Sequence, residues 1–206
     1  MTGGLGVAAL LTLAGGVAAT SASAAPGSKA TPPAGGVEKF SLSLPGDNQL
    51  VGYSVPGATP EGKAEVQYLH RGNLIADTLV PSQFGTEGLA LTGGLCDVAG
   101  HTCVISYDQG AHSSGVTGLI LEPGRSLTVG TAVGGDAPGA TLHRYGGTAG
   151  AALLDSTYTP DYATGPRYWQ TYRTVGGKLV STGCTTPSTS ETPAPAVPVT
   201  GVCPAP

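Results

Sequence analysis

The stretch YDQGAHSSG brings Asp108, His112, Ser113 and Ser114 within a few residues of one another. These are the residue types of nucleophilic hydrolysis: a hydroxyl that attacks, an imidazole that takes its proton, and a carboxylate that orients the imidazole. A triad holds its base between nucleophile and orienter, normally from separate elements, and one short loop rarely reaches that geometry. The context also fails, because His112 stands where Gly-x-Ser-x-Gly requires a glycine. The loop therefore reads as polar turn residues. No His-Glu-x-x-His occurs, and His70, His101, His112 and His143 are well separated. GGVEKF and GRSLT lack the strand, Gly loop and helix of a phosphate cradle. Glycoside chemistry needs two carboxylates assembled in space, and nothing in the pattern of thirteen Asp and Glu selects a pair. No catalytic residue, metal ligand or cofactor is assigned.

Binding is the second chemistry to weigh. The chain holds eight Tyr, two Phe and one Trp, and STYTPDYATGPRYWQTYR (156–173) concentrates Tyr158, Tyr162, Tyr168, Trp169 and Tyr172. In the strand RYWQTYR, side chains alternate between faces. Tyr168, Gln170 and Tyr172 share one face, expected inward; Arg167, Trp169, Thr171 and Arg173 share the other, expected solvated with arginine stems over the indole. The ligand-binding candidates are Tyr158, Asp161, Tyr162, Trp169 and His112, an aromatic and polar mixture suited to sugars or peptide backbones.

These residues need elements to hold them. After the first 25 residues no window has helical periodicity; short alternating runs bounded by Gly, Pro or Asp predict twelve strands, near 37–44, 49–55, 64–70, 74–80, 87–92, 102–108, 116–122, 126–133, 140–145, 151–157, 167–174 and 178–183. They fall into three sets of four. Gly72, Gly124 and Gly176-Gly177 each precede a leucine, and Leu74, Leu127 and Leu179 lie about 50 residues apart. Gly is wanted there because primed hairpin turns need positive φ. The expected fold is all-β: three four-stranded antiparallel modules of about 50 residues, partly like a β-propeller, with a β-trefoil or prism or an irregular sandwich as alternatives. Three modules are too few for a closed propeller ring of roughly 4–8 blades. Equivalent loops of a repeat emerge on one side, which would gather 56–63, 109–115 and 158–166 and display Glu61 or Lys63 beside the candidates above.

The ends read differently. Residues 1–25 carry a short apolar run and the small residues SASAA ahead of Pro26, as in a cleaved export signal. No Lys or Arg precedes Lys29, which points to a start upstream. Residues 26–36 read as a flexible linker, 37–184 as one domain, and 185–206, with six Pro and seven Ser or Thr, as an extended solvated tail. Cys96, Cys103, Cys184 and Cys203 imply two disulfides in an exported chain. Three pairings are open, with Cys96–Cys103 the natural local one and Cys184–Cys203 then clipping the tail. A metal site using His101 lacks the paired close spacing of zinc modules. Nine scattered Lys and Arg and a net charge of −4 exclude a nucleic-acid surface, which needs clustered cations. No stable membrane span is expected once the signal is cleaved.

The run ALLDSTYTPDYATGPRYWQTYRTVGGKLVSTGC (151–184) resembles the terminal repeat of secreted actinobacterial proteins with degenerate FG-GAP or VCBS repeats, related to integrin-type propellers. The resemblance is thin over 86–133. It implies repeated sheet modules, and in the family often a calcium loop rich in Asp. Here RYGGTAGAALLD has no acid between Arg144 and Asp155, so no metal is expected in that loop. The expected function is a secreted binding or interaction module that recognises an extracellular glycan or a cell-envelope component through one loop face. The alternatives are a secreted hydrolase with a spatially assembled site and a structural cell-envelope protein.

Overall fold

The computed structural model describes residues 28–110, 113–157 and 165–204. Among them are twelve strands and no helix: β1 (Val37–Leu44), β2 (Asn48–Val55), β3 (Lys63–His70), β4 (Asn73–Leu79), β5 (Ala90–Cys96), β6 (Thr102–Asp108), β7 (Ser114–Glu122), β8 (Ser126–Gly135), β9 (Ala140–Tyr145), β10 (Thr148–Ser156), β11 (Arg167–Val175) and β12 (Lys178–Cys184). Each run of four forms its own antiparallel meander, in the orders β1-β2-β3-β4, β5-β6-β7-β8 and β9-β10-β11-β12. Leu74, Leu127 and Leu179 occupy the second position of β4, β8 and β12, so the leucine spacing follows the fourth strand of each sheet.

Backbone preference sets the tight turns. Both central residues of the β3–β4 and β11–β12 turns have positive φ, 51° and 75° at Arg71-Gly72 and 55° and 74° at Gly176-Gly177. That is the twist a two-residue hairpin demands.

The sheets stack face to face with the second in the middle. Leu50, Val66, Tyr68, Ile105, Tyr107 and Leu119 form the core between the first and second sheets. Val104, Val116, Ala149, Ala151, Leu153 and Tyr172 form the smaller core between the second and third. Successive residues of β6 thus enter different cores, and CVISY is a continuous buried run because both faces of that strand are covered. The strand predicted near 87–92 lies at 90–96 instead. It runs through Gly93-Gly94, where a Cβ on Gly94 would sit 2.6 Å from Cζ of Phe40, so the glycine makes room for that ring.

The outer faces of the stack are covered by the chain ends. Residues expected as a free linker lie along β4: Lys29 bridges Asn73, the Gln67 amide donates to the Thr31 carbonyl at 2.9 Å, and Ala30 packs on Val51, Tyr53 and Leu69. An apolar outer face beside an unpaired strand edge provides the physical reason. The tail is likewise docked. Ser188 and Arg167 exchange backbone hydrogen bonds, Cys184 N–H donates to the Gly201 carbonyl, and Val199 N–H donates to the Thr171 hydroxyl at 3.0 Å. Two disulfides close as expected, Cys96–Cys103 and Cys184–Cys203, which leaves no thiolate for a site around His101.

Candidate functional site

At one pole lie the connections 56–62 between β2 and β3, 80–89 between β4 and β5 and 136–139 between β8 and β9, together with Gln109, Gly110 and Ser113 beside β6 and β7 and Thr157, Gly165 and Pro166 beside β10 and β11. Side chains lock several together. Lys63 pairs with Glu87 at 2.6 Å, and Glu87 accepts the Ala58 N–H at 3.1 Å. These two bonds hold the Glu87 carboxyl below its usual range. Ser114, fully buried, donates its hydroxyl to Asp108 at 3.1 Å and accepts the Gly139 N–H at 2.9 Å. It ties β6 and β7 to the β8–β9 connection.

At this pole a cleft of about 800 Å³ opens where the second and third sheets meet. One rim is a tight turn, with Ser82 N–H donating to the Gly85 carbonyl at 2.6 Å and Phe84 N–H to the Ser82 hydroxyl at 3.0 Å. The turn holds Phe84 out, 81% exposed, beside Gln83. Ser113 and Arg167 add polar groups, and Ala137 and Pro138 add apolar wall.

The back of the cleft holds a carboxyl pair. Asp136, on the β8–β9 connection, accepts the Ser156 N–H at 2.7 Å and the Ser156 hydroxyl at 2.8 Å. Asp155, at the end of β10, accepts the Asp136 N–H at 3.3 Å and the Ser156 N–H at 3.0 Å, and its carboxyl lies beside that of Asp136. Burial and the Asp136 carboxyl push Asp155 up to about 6. Burial also raises Asp136, but the bonds from Asp155 and Ser156 outweigh it and hold that acid below its ordinary value. Burial, then the charge of Asp155, pushes the neighbouring Tyr168 up to about 12. The two acids tie the β8–β9 connection onto β10. With both Asp136 oxygens taken by Ser156, the pair is a latch for the cleft wall.

Four predicted site residues, His112, Tyr158, Asp161 and Tyr162, lie outside the described residues. Their flanking residues Ser113, Ser156 and Arg167 line the cleft. Trp169 is buried, at 8% exposure, although the parity reading put its face in solvent. The tail, not arginine stems, covers it: the indole N–H donates to the Thr192 carbonyl at 2.8 Å, and Thr185 accepts the Trp169 backbone N–H. Tyr172 enters the inter-sheet core as expected, and Tyr168 is buried. Sequence reasoning missed Phe84, whose only signal is a large aromatic in the turn PSQFGT, and it missed the Asp136–Asp155 pair, which has none. No group of three or more His, Cys, Asp or Glu among the described residues could hold a metal ion. Compared with known proteins, the chain matches no family model, no curated protein and no solved structure.

Proposed function

We propose that the chain is an exported binding module that holds a saccharide, from the cell envelope or its surroundings, in the cleft between the second and third sheets. The observation that carries this reading is Phe84, a large aromatic held 81% exposed by its own turn on the rim of a cleft with polar groups. Sugars present apolar C–H faces to an aromatic ring and hydroxyls to amide, hydroxyl and guanidinium groups, which Gln83, Ser113 and Arg167 supply. Two disulfides and the apolar N-terminal run support export. The resemblance of residues 151–184 to degenerate FG-GAP or VCBS repeats of secreted proteins supports a place outside the cell.

The hydrolase alternative is weaker on geometry. Glycoside hydrolysis uses carboxyls about 5 Å or more apart, with substrate or water between them. Asp136 and Asp155 touch and spend their oxygens on backbone and Ser156.

Glycan-array binding followed by titration calorimetry tests the reading. Phe84→Ala is expected to weaken binding about tenfold or more while the melting temperature stays unchanged. Full affinity in that variant, or an array with no binder, overturns it.

A further inference from the structure

A second cavity of about 430 Å³ adjoins the cleft, and Arg167 and Pro138 line both. Its floor includes Trp169, and its far wall is the tail segment Ser188–Thr192. That wall carries hydroxyls at Ser188, Thr189, Ser190 and Thr192 and a carboxylate at Glu191, in PSTSETP, where a proline at each end stiffens the segment. The segment is pinned to β11 on both sides, by the Ser188–Arg167 backbone pair and by the indole bond to the Thr192 carbonyl, and the Cys184–Cys203 disulfide closes the tail beyond it. A wall ordered before the ligand arrives costs no ordering on binding. Each cavity alone falls within the roughly 300–1,000 Å³ of small-molecule sites. The first is mostly apolar with an aromatic rim; the second is lined chiefly by groups that hydrogen-bond hydroxyls.

Resting on the saccharide reading, we infer that the ligand is a linear chain of several sugar units, and that the tail forms a second subsite for it on the far side of Arg167. The first lobe takes a sugar face against Phe84. The guanidinium of Arg167, with five fixed donors, spans the junction. The next units run along the tail hydroxyls. The tail of this protein is then part of the recognition surface.

The test uses the whole chain and panels of N-acetylglucosamine, glucose and mannose oligomers, from single sugars to hexamers, titrated by calorimetry. Affinity is expected to rise about tenfold or more from dimer to hexamer in the series that binds. Ser190→Trp, at an exposed position, fills the second lobe and is expected to abolish that rise while dimer binding stays intact. Glu191→Ala, which removes a wall group without filling the lobe, lowers the hexamer's advantage by a smaller factor. If dimer and hexamer bind equally while Phe84→Ala still weakens both, the second subsite is wrong and the saccharide reading stands. A Ser190→Trp variant that keeps the full rise also overturns the subsite. If no oligomer of any length binds, both fall.

Discussion

The two poles of the stack are built from the same strands and end differently. At one pole the strands turn back in hairpins whose tips pack closely on neighbouring residues. Gly100 sits against Leu44 and Pro45, Gly124 against His70, Gly147 against Val98, and the Gly177 carbonyl lies in a notch formed by Gly118 and Gly130 of the middle sheet. A cavity of about 520 Å³ on that side lies between the third sheet and the tail. At the other pole side chains at the strand ends and in the connections are spent on struts such as Ser114, on the Asp136–Asp155 latch, and on the rim that exposes Phe84. Long connections cost more backbone entropy, and side-chain bonds to backbone offset it. The lesson is that glycine contacts hold one end and polar latches the other, and the two should fail differently.

The largest expected effect breaks the hairpin pole. A side chain on Gly130 would run into the Gly177 carbonyl, a backbone atom with no room to move. Gly130→Val is expected to cost about 3 kcal/mol, read as a fall in denaturation midpoint with unchanged slope. A loss below about 1 kcal/mol would show that the notch tolerates filling.

The loop pole should respond to pH instead. Asp155 binds its proton more tightly folded, at about 6, than its ordinary value of 3.8, so its contribution favours the fold at low pH and declines as pH rises between those values. Asp136 is held low and acts in the opposite sense, losing stability only as pH falls through its own lowered range. The stability of the native chain relative to Asp155→Asn is therefore expected to be greatest near pH 4 and to shrink as pH climbs past 6. The change is on the order of 1 kcal/mol, since the carboxyl is partly exposed and solvent screens it. Melting curves of both proteins across that range check it, and a difference that grows with pH would mean that folding weakens rather than strengthens the hold of Asp155 on its proton.

The smallest effect belongs to an exposed contact. Asp47 and Arg71 pair at 3.4 Å at the hairpin pole, both largely in solvent. Arg71→Ala is expected to change stability by less than about 0.5 kcal/mol, measurable by chemical denaturation. A larger loss would mean that this pole relies on charge as well as glycine contacts.

The strands, their grouping in fours, the inward tyrosines of β11 and the two disulfides were legible in the residues, because alternation, turn glycines and cysteine spacing are local signals of backbone geometry. Two misreadings concern the outer faces. Trp169 reads as solvent-facing because parity says which side of a strand a residue faces, and the linker 26–36 reads as free because composition says nothing about which face a segment lies on. The strand through Gly93-Gly94 reads as ending before them because Gly94 answers to Phe40, more than fifty residues earlier in the chain.

The amino-acid order alone therefore determined an all-β chain of three four-stranded meanders, since the pleat and the hairpin turns depend on neighbours a few residues apart. Only the tertiary structure decided which sheet lies in the middle, that the chain ends cover the outer faces, and that Asp136, Asp155, Phe84 and Arg167 meet around one cleft. Those juxtapositions follow from how three apolar faces bury one another, a long-range balance that no short window of sequence contains.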